Sequence, residues 1–273
     1  MTGLPRAGAR FSGRVALVMG GGQSPGEDIG NGRAVAVLLA REGAAVTVVD
    51  RDLGAAEATA DQIRGEGGSP TALAADATAA DQVREVVEDV LARHGRLDIL
   101  HNNVGAGRGL GGDADAEEIS EEALDRSFAV NLKSAWLSAK YALPALRTSA
   151  GSIVNIGSAV VLHSSPIVGY KAAKHALVGL TEHLASMNAR FGVRVNIVLP
   201  GAMNTAMVIE REAAAQGVDR EAVIAARAAR IPLAGHVGTG WDVAYAATFL
   251  HSDEAKFITG AQLVVDGGAS VVR

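Results

Sequence analysis

The sequence predicts an α/β fold, a doubly wound parallel sheet with helices on both faces. Three observations predict it. Short apolar, β-branched runs alternate along the whole chain with longer stretches whose apolar positions recur at helical spacing. The strand runs are almost continuously apolar, as in parallel strands covered on both faces. No composition break, Pro/Gly linker or internal repeat divides the chain, so residues 1–273 read as one domain.

Each element has its own reason. Residues 15–19 (VALVM) form a β-branched run that ends in Gly20, Gly21 and Gly22. Residues 33–42 follow with helical periodicity and a glycine stop at Gly43. Residues 45–49 (AVTVV) read as a second buried strand closed by Asp50, 53–65 as an Ala-rich helix, and 71–75 as a short strand. Residues 81–94 carry acid early and Arg93 and His94 late, as a helix dipole prefers. Strands follow at 97–101, 151–156, 193–199 and 262–265. One long helix or two fill 121–148, and further helices fill 169–191 and 241–251. The polar, Ala-rich stretch 205–229 reads as helical, and 203–235 as a mobile substrate lid. Residues 1–12 read as a loose N-terminal extension. Right-handed crossovers wind such strands into one sheet, with ligands beyond their carboxyl ends at the switch point of the winding.

Composition narrows the function. The 273 residues carry 25 Lys plus Arg against 30 Asp plus Glu, a formal charge of −5. A weakly acidic chain with no basic run is a poor partner for nucleic acid. No apolar run reaches the roughly 18–20 residues of a membrane span. There are no cysteines, which removes disulfides and thiolate chemistry and fits a reducing, cytoplasmic setting. The seven histidines are dispersed, with no two at i,i+4, so no metal is expected.

Four constellations carry chemistry. Gly20-Gly21-Gly22 leaves the first strand and Gly30-Asn31-Gly32 opens the next helix. Glycines there let backbone N–H groups approach a pyrophosphate at a helix N-terminus. Asp50 ends the second strand, 18 residues past Gly32, where a carboxylate can accept from both ribose hydroxyls of an adenosine. It would also repel a 2′-phosphate: unit charges 4 Å apart at an effective dielectric of 20 interact by about 4 kcal/mol. Asp50 therefore argues for NAD over NADP, and Arg51 offsets part of the argument. Tyr170 and Lys174 stand at i and i+4 on one helix face. A cation beside a phenol draws its pKa down toward working pH and makes it a usable acid or base. Ser158, twelve residues before Tyr170, places a hydroxyl at the sheet edge where it can polarise a carbonyl. Asn131 is a poor helix former inside a helix. It reads either as a local hydrogen bond or as a kink whose carbonyl holds a water near Lys174. Singly, each constellation also has a bland reading: a glycine turn, a strand-end carboxylate, a helix-face pair, a turn serine.

Together they resemble the short-chain dehydrogenase/reductase family, from about Gly13 to Gly268. The shared marks are the glycine loop, Asp50, Asp76, Asn102-Asn103-Val104-Gly105, Asn131, Ser158, Tyr170 with Lys174, Pro200-Gly201 followed by Thr205, and Asp266-Gly267-Gly268. The resemblance implies a Rossmann-like fold. It implies that Gly20, Gly22 and Gly32 line a dinucleotide pyrophosphate, that Asp50 and Arg51 meet the adenosine ribose, and that Asp76 and Ala77 flank the adenine. Asn103 and Gly105 form the turn after the fourth strand, and Pro200, Gly201, Met203 and Thr205 cradle the nicotinamide. Tyr170 is then the acid/base. Lys174 lowers its pKa and holds the nicotinamide ribose, Ser158 orients the substrate oxygen and Asn131 completes a water relay. A homotetramer built on the helices around 121–148 and 169–191 is also implied.

The sequence departs from the family pattern in the glycine loop. Gly20 to Gly32 spans twelve residues where the family usually has six, so six are inserted within 23–30. Val104 and His101 replace the usual Ala and Val. The substrate wall is expected from 104–112, 159–168 and 203–212, with Val160, His163 and Met207 as contacts. The expected activity is NAD-dependent hydride transfer between a secondary alcohol and its ketone. Two alternatives stand beside it: an NADPH-dependent 3-oxoacyl thioester reductase, and a dinucleotide-binding regulator without turnover.

Overall fold

The structure is a computed structural model that describes residues 9–107 and 111–271. The expected loose extension is therefore described only from Ala9, and it is docked there rather than loose. Phe11 is fully buried and its N–H donates to the Glu42 carbonyl, while the Arg10 guanidinium grips the buried Glu42 carboxylate.

The strands are β1 (Val15–Met19), β2 (Ala45–Asp50), β3 (Thr71–Ala74), β4 (Ile99–Asn102), β5 (Ser152–Ile156), β6 (Arg194–Pro200), a short β7 (Met203–Asn204) and β8 (Gly238–Thr239), and β9 (Gln262–Val265). Seven of them form one parallel sheet in the order β3-β2-β1-β4-β5-β6-β9, and β7 pairs with β8 apart from it. The winding reverses between β1 and β4, so the switch point lies where Gly20 leaves β1 and Asn103 leaves β4.

The helices are α1 (Asn31–Arg41), α2 (Leu53–Gly65), α3 (Ala80–His94), α4 (Glu121–Phe128), α5 (Ser134–Ser149), α6 (Val168–Asn188), α7 (Ala206–Gln216), α8 (Arg220–Ala228) and α9 (Gly240–His251). Side chains alternate across the sheet as the pleat requires. Ala16, Val18, Val48, Val154 and Val198 pack toward α1 and α9, while Leu17, Met19, Leu100, Ile153 and Val195 pack toward α3, α5 and α6. Both faces are thus dry, which is why the strands read as almost continuous apolar runs.

Local chemistry sets the element ends. The Asp52 side chain caps α2 by accepting from Gly54 N at 2.8 Å, α3 stops at Gly95 in the left-handed region, and Thr239 with Asp242 closes a capping box on α9. Where the sequence left one helix or two over 121–148, the chain makes α4 and α5 joined by a π-helical turn over Ala129–Lys133, with Asn131 inside it. The stretch 205–229 is helical as expected but is divided by Gly217 into α7 and α8.

Candidate active site

The dinucleotide cleft is built where β1 hands over to α1. Gly20 adopts φ +77° and Gly32 lies so close beneath it that a Cβ at residue 32 would sit 2.0 Å from the Gly20 carbonyl oxygen. Asn103 Nδ2 donates to that same oxygen at 2.8 Å, so the turn after β4 fixes the glycine loop from below. Helix α1 begins at Asn31 with no side-chain cap from Gly30, and a Cβ at Gly30 would meet only open space. Uncapped N–H groups at an open helix N-terminus fit a phosphate. The Asn31 Oδ1 atom is buried there without a hydrogen-bond partner, a second sign that this end of α1 fits a bound group.

Asp50 closes the far side. Its Oδ2 accepts from Gly22 N at 3.1 Å and its Oδ1 from Asp52 N at 3.3 Å, which holds the carboxylate over the loop. Arg51 is exposed beside it. The Asp76 Oδ1 atom accepts from both Thr78 N and Thr78 Oγ1, and Ala77 is buried. A cavity of about 370 Å³ opens between the inserted residues and the start of α2, lined among others by Gln23, Ser24, Arg33, Asp52 and Gly54. The residues present therefore fit an adenosine dinucleotide. Beyond β6, Gly201 N donates to the Val265 carbonyl at 2.9 Å, and Met203 and Thr205 are buried where β7 passes into α7.

The reactive group sits at the carboxyl edge of β5. Lys174 is buried, donates from Nζ to the Ile156 carbonyl at 2.8 Å, and has that nitrogen 5.7 Å from the Tyr170 ring centroid. Phenol and ammonium therefore share one side of α6. Ser158, just past β5, accepts from Val160 N at 3.2 Å and opens a 3-10 turn. Burial pushes the Tyr170 phenol above its ordinary value, and the Ser158 hydroxyl pulls against it. Burial also pushes the Lys174 ammonium down to about 8. The expectation of a phenol drawn toward neutrality is therefore corrected: desolvation of the ring outweighs a cation that donates to a carbonyl of β5.

Asn131 is completely buried and its side chain is consumed locally. Its Nδ2 donates to the carbonyls of Ala106 and Ser127, and its Oδ1 accepts from Ala106 N. A Cβ at Gly105 would lie 2.8 Å from Lys174 Nζ and 3.0 Å from Asn131 Oδ1, so Gly105 is the spacer between them. Val160 is buried, whereas Met207 and His163 are exposed, and a ring nitrogen of His163 meets its neighbour's carbonyl at Ser164. Of the expected substrate wall, residues 108–110 lie outside the described residues.

Sequence reasoning missed three groups. Asp113 accepts from the backbone N–H of Gly169 and of Tyr170 itself. Lys171 donates to the carbonyls of Val160 and His163, holding the loop after Ser158. Arg227 on α8 holds the Met203 carbonyl and Asn204 Oδ1. Lys171 adjoins Tyr170 in sequence and was the one with a readable signal; the other two reach these partners 23 or more residues away across intervening elements.

Comparison with known proteins agrees with this geometry. A family model described as enoyl-(acyl carrier protein) reductase matches residues 27–270. A solved structure from Burkholderia xenovorans, described as a short-chain dehydrogenase/reductase, superposes with a TM-score of 0.88 at 41% identity, covering 98% of this chain and 100% of that one. The chain belongs to the short-chain dehydrogenase/reductase family. Among curated members, cyclohexanol dehydrogenase of Acinetobacter sp. is 35% identical over 94% of this chain and 95% of its own. The 3-oxoacyl-(acyl-carrier-protein) reductase FabG of Thermotoga maritima is 33% identical over 95% and 98%. As a short-chain dehydrogenase/reductase the chain is an oxidoreductase built for a nicotinamide dinucleotide and a small-molecule substrate. The family match begins inside the inserted segment at residue 27, the part of the glycine loop where this chain departs from the pattern.

Proposed function

We propose that this chain oxidises a secondary alcohol to its ketone, and reverses that reaction, with NAD as partner and Tyr170 as the proton-transferring group. The observation that carries the reading is the buried Lys174 ammonium beside the Tyr170 ring, with Ser158 acting on the same phenol. Bound in the cleft, the dinucleotide supplies the hydride acceptor or donor. In oxidation the Tyr170 oxygen takes the hydroxyl proton as hydride leaves the carbinol carbon. Ser158 orients the substrate oxygen, Lys174 holds the nicotinamide ribose, and the π-turn at Asn131 leads a water toward Lys174. Gly20, Gly22 and Gly32 hold the phosphates, Asp50 and Arg51 the adenosine ribose, and Asp76 and Ala77 the adenine. Asn103 and Gly105 shape the floor, and Pro200, Gly201, Met203 and Thr205 receive the carboxamide. Val160, His163 and Met207 face the substrate, beneath a lid formed by 203–235.

The test is Tyr170→Phe. Loss of a general acid/base of this kind lowers kcat by about 10²–10⁴-fold, and NADH binding, followed by its fluorescence, stays within a few-fold of wild type. Undiminished turnover would overturn the assignment. A phenol raised by burial also sets the pH dependence: oxidation needs the deprotonated oxygen, so its rate climbs from neutral toward alkaline pH. Reduction needs the protonated form and does not gain there.

A second reading, an NADPH-dependent 3-oxoacyl thioester reductase, is favoured by the FabG relative. Asp50 speaks against it, because a carboxylate at the adenosine ribose would repel a 2′-phosphate. Turnover with NAD against NADP, over a panel of cyclic, aryl and aliphatic secondary alcohols, separates the two. A homotetramer is expected from the family; the exposure of Trp136 on α5 and Met187 on α6 supports it, and sedimentation tests it. A cytoplasmic location rests on the absence of cysteine.

A further inference from the structure

The inserted segment of the glycine loop does not stand free. Gly26 takes φ +136° and presses so closely on the first turn of α7 that a Cβ there would lie 2.8 Å from Ala206 Cβ and 3.0 Å from Glu210 Oε1. Ala206 N donates to the Asp28 carbonyl at 3.2 Å. Gln23 Oε1 accepts from Gly30 N at 3.0 Å and so closes the segment into a loop on its phosphate side. Across this contact one guanidinium gathers three carboxylates from two other segments. Arg220, at the first turn of α8, meets Asp28 at 2.7 Å, Glu27 at 3.0 Å and Glu210 of α7 at 3.2 Å.

These pairs are unequal. Glu27 is 87% exposed, and such a pair contributes little. Asp28 and Arg220 are only 26% and 23% exposed, so their charge-assisted hydrogen bond is the strong member. The same helix carries Arg227, seven residues on, which holds the Met203 carbonyl and Asn204 Oδ1 and pairs with Glu212 of α7. Helix α8 is thereby fastened through Arg220 to the loop that faces the phosphates and through Arg227 to the strand that leads into the nicotinamide end. The two ends of the cleft share one rigid member.

We propose that the inserted segment is a strap, and that Arg220 is a positioning residue through which it holds the α7–α8 cap shut over the bound dinucleotide. The inference rests on the dinucleotide-dependent reading above and deepens it. A dinucleotide leaves this cleft only when the Asp28–Arg220 contact parts, so the strap sets its residence time. Hydride transfer itself makes no use of Arg220.

The experiment measures NADH release by stopped-flow fluorescence, with amide hydrogen exchange of residues 23–30 and 206–228 in the protein alone. Arg220→Ala raises exchange in both segments, speeds NADH release by roughly tenfold, as loss of a charge-assisted hydrogen bond predicts, and raises the dinucleotide KM far more than it moves kcat. Asp28→Asn, which spares the cap's own side chains, reproduces the effect in the same direction, and Arg220→Lys restores part of the wild-type rate. In the double variant Arg220→Ala/Asp28→Asn the two effects do not add, since both remove one contact. Release at the wild-type rate from Arg220→Ala, or full additivity, overturns the strap while the oxidoreductase reading stands. Wild-type protein that binds neither NADH nor NADPH overturns both.

Discussion

Asp113 Oδ1 accepts from Gly169 N at 2.9 Å and Oδ2 from Tyr170 N at 2.8 Å. The N-cap residue of α6, Ile167, offers no side-chain cap of its own, so a carboxylate far upstream performs that task for the helix that carries the phenol. Asp113→Ala should cost about 1 kcal/mol, the usual worth of a cap, and lower the melting temperature by roughly 2–4 °C for a chain of this size. Because one bond goes to Tyr170's own N–H, kcat should fall as well, and Asp113→Asn, which keeps an acceptor, should recover part of both. Melting curves and steady-state kinetics on the two variants check this; a loss of stability without any change in kcat would separate Asp113 from the phenol. At this scale the site was legible where its chemistry is local. Tyr170 and Lys174 are one helical turn apart, so spacing alone put them together. Asp113 reaches α6 over more than fifty residues of chain, and no local pattern marks a cap delivered from that distance. The same limit hid Arg220, whose partners Glu27 and Asp28 come from the other end of the sequence.

Elements were legible in proportion to how much their own residues decide them. The long parallel strands announce themselves because both faces are dry and most positions are apolar, with a few buried polar residues such as His101, Asn155 and Asn196 among them. Strands β7 and β8 do not, since each has two residues and exists only through its partner. The division of 205–229 was readable in principle: Gly217 supplies a left-handed stop at φ 65°, and Asp219 caps the next helix by accepting from Ala222 N at 2.7 Å. At the π-turn the Asn131 side chain competes for its own helix's backbone, donating to the Ser127 carbonyl one turn back as well as to the Ala106 carbonyl across the site. The glycine loop gives the sharpest prediction for an element. Gly32→Ala forces a methyl group against the Gly20 carbonyl and Asn103 Nδ2, at 2.0 and 2.5 Å, so β1 and α1 must separate. The variant should lose NADH binding and melt several degrees lower, whereas Gly30→Ala, where a methyl meets open space, should keep its melting temperature. Calorimetry and fluorescence titration of the pair distinguish steric crowding from a general intolerance of the loop.

For the whole molecule, the unusual feature is a polar pair sealed into the layer between the sheet and α9. His101 on β4 and His251 at the end of α9 are both buried, with His251 Nε2 3.4 Å from His101 Nδ1 and His251 Nδ1 2.9 Å from Ser152 Oγ. Burial pushes His101 down to about 3, and burial, His101 and the neighbouring Arg194 push His251 well below its ordinary value. Both rings are therefore neutral in the folded chain at pH 7, and His101 Nε2 has no hydrogen-bond partner. The unfolded chain takes up a proton on each ring once the pH drops below about 6.5, whereas folded His101 resists until about pH 3. Between those values the unfolded state binds more protons, so stability falls as pH falls and is undiminished above the upper value. For His101 the loss at pH 5 is about 2 kcal/mol, and His251 adds in the same direction. Glu66 and Glu122, held below the ordinary carboxylate value in the fold, add a loss of the same sign, so the His101 share is read from the variant below. Denaturant unfolding at pH 7.5 and pH 5 should show the combined loss. His101→Val places an apolar side chain between Val18 and Val154, its neighbours across the sheet, and removes both the unpartnered nitrogen and its share of the slope. A variant that keeps the full wild-type loss between the two pH values would show that acid enters this fold elsewhere.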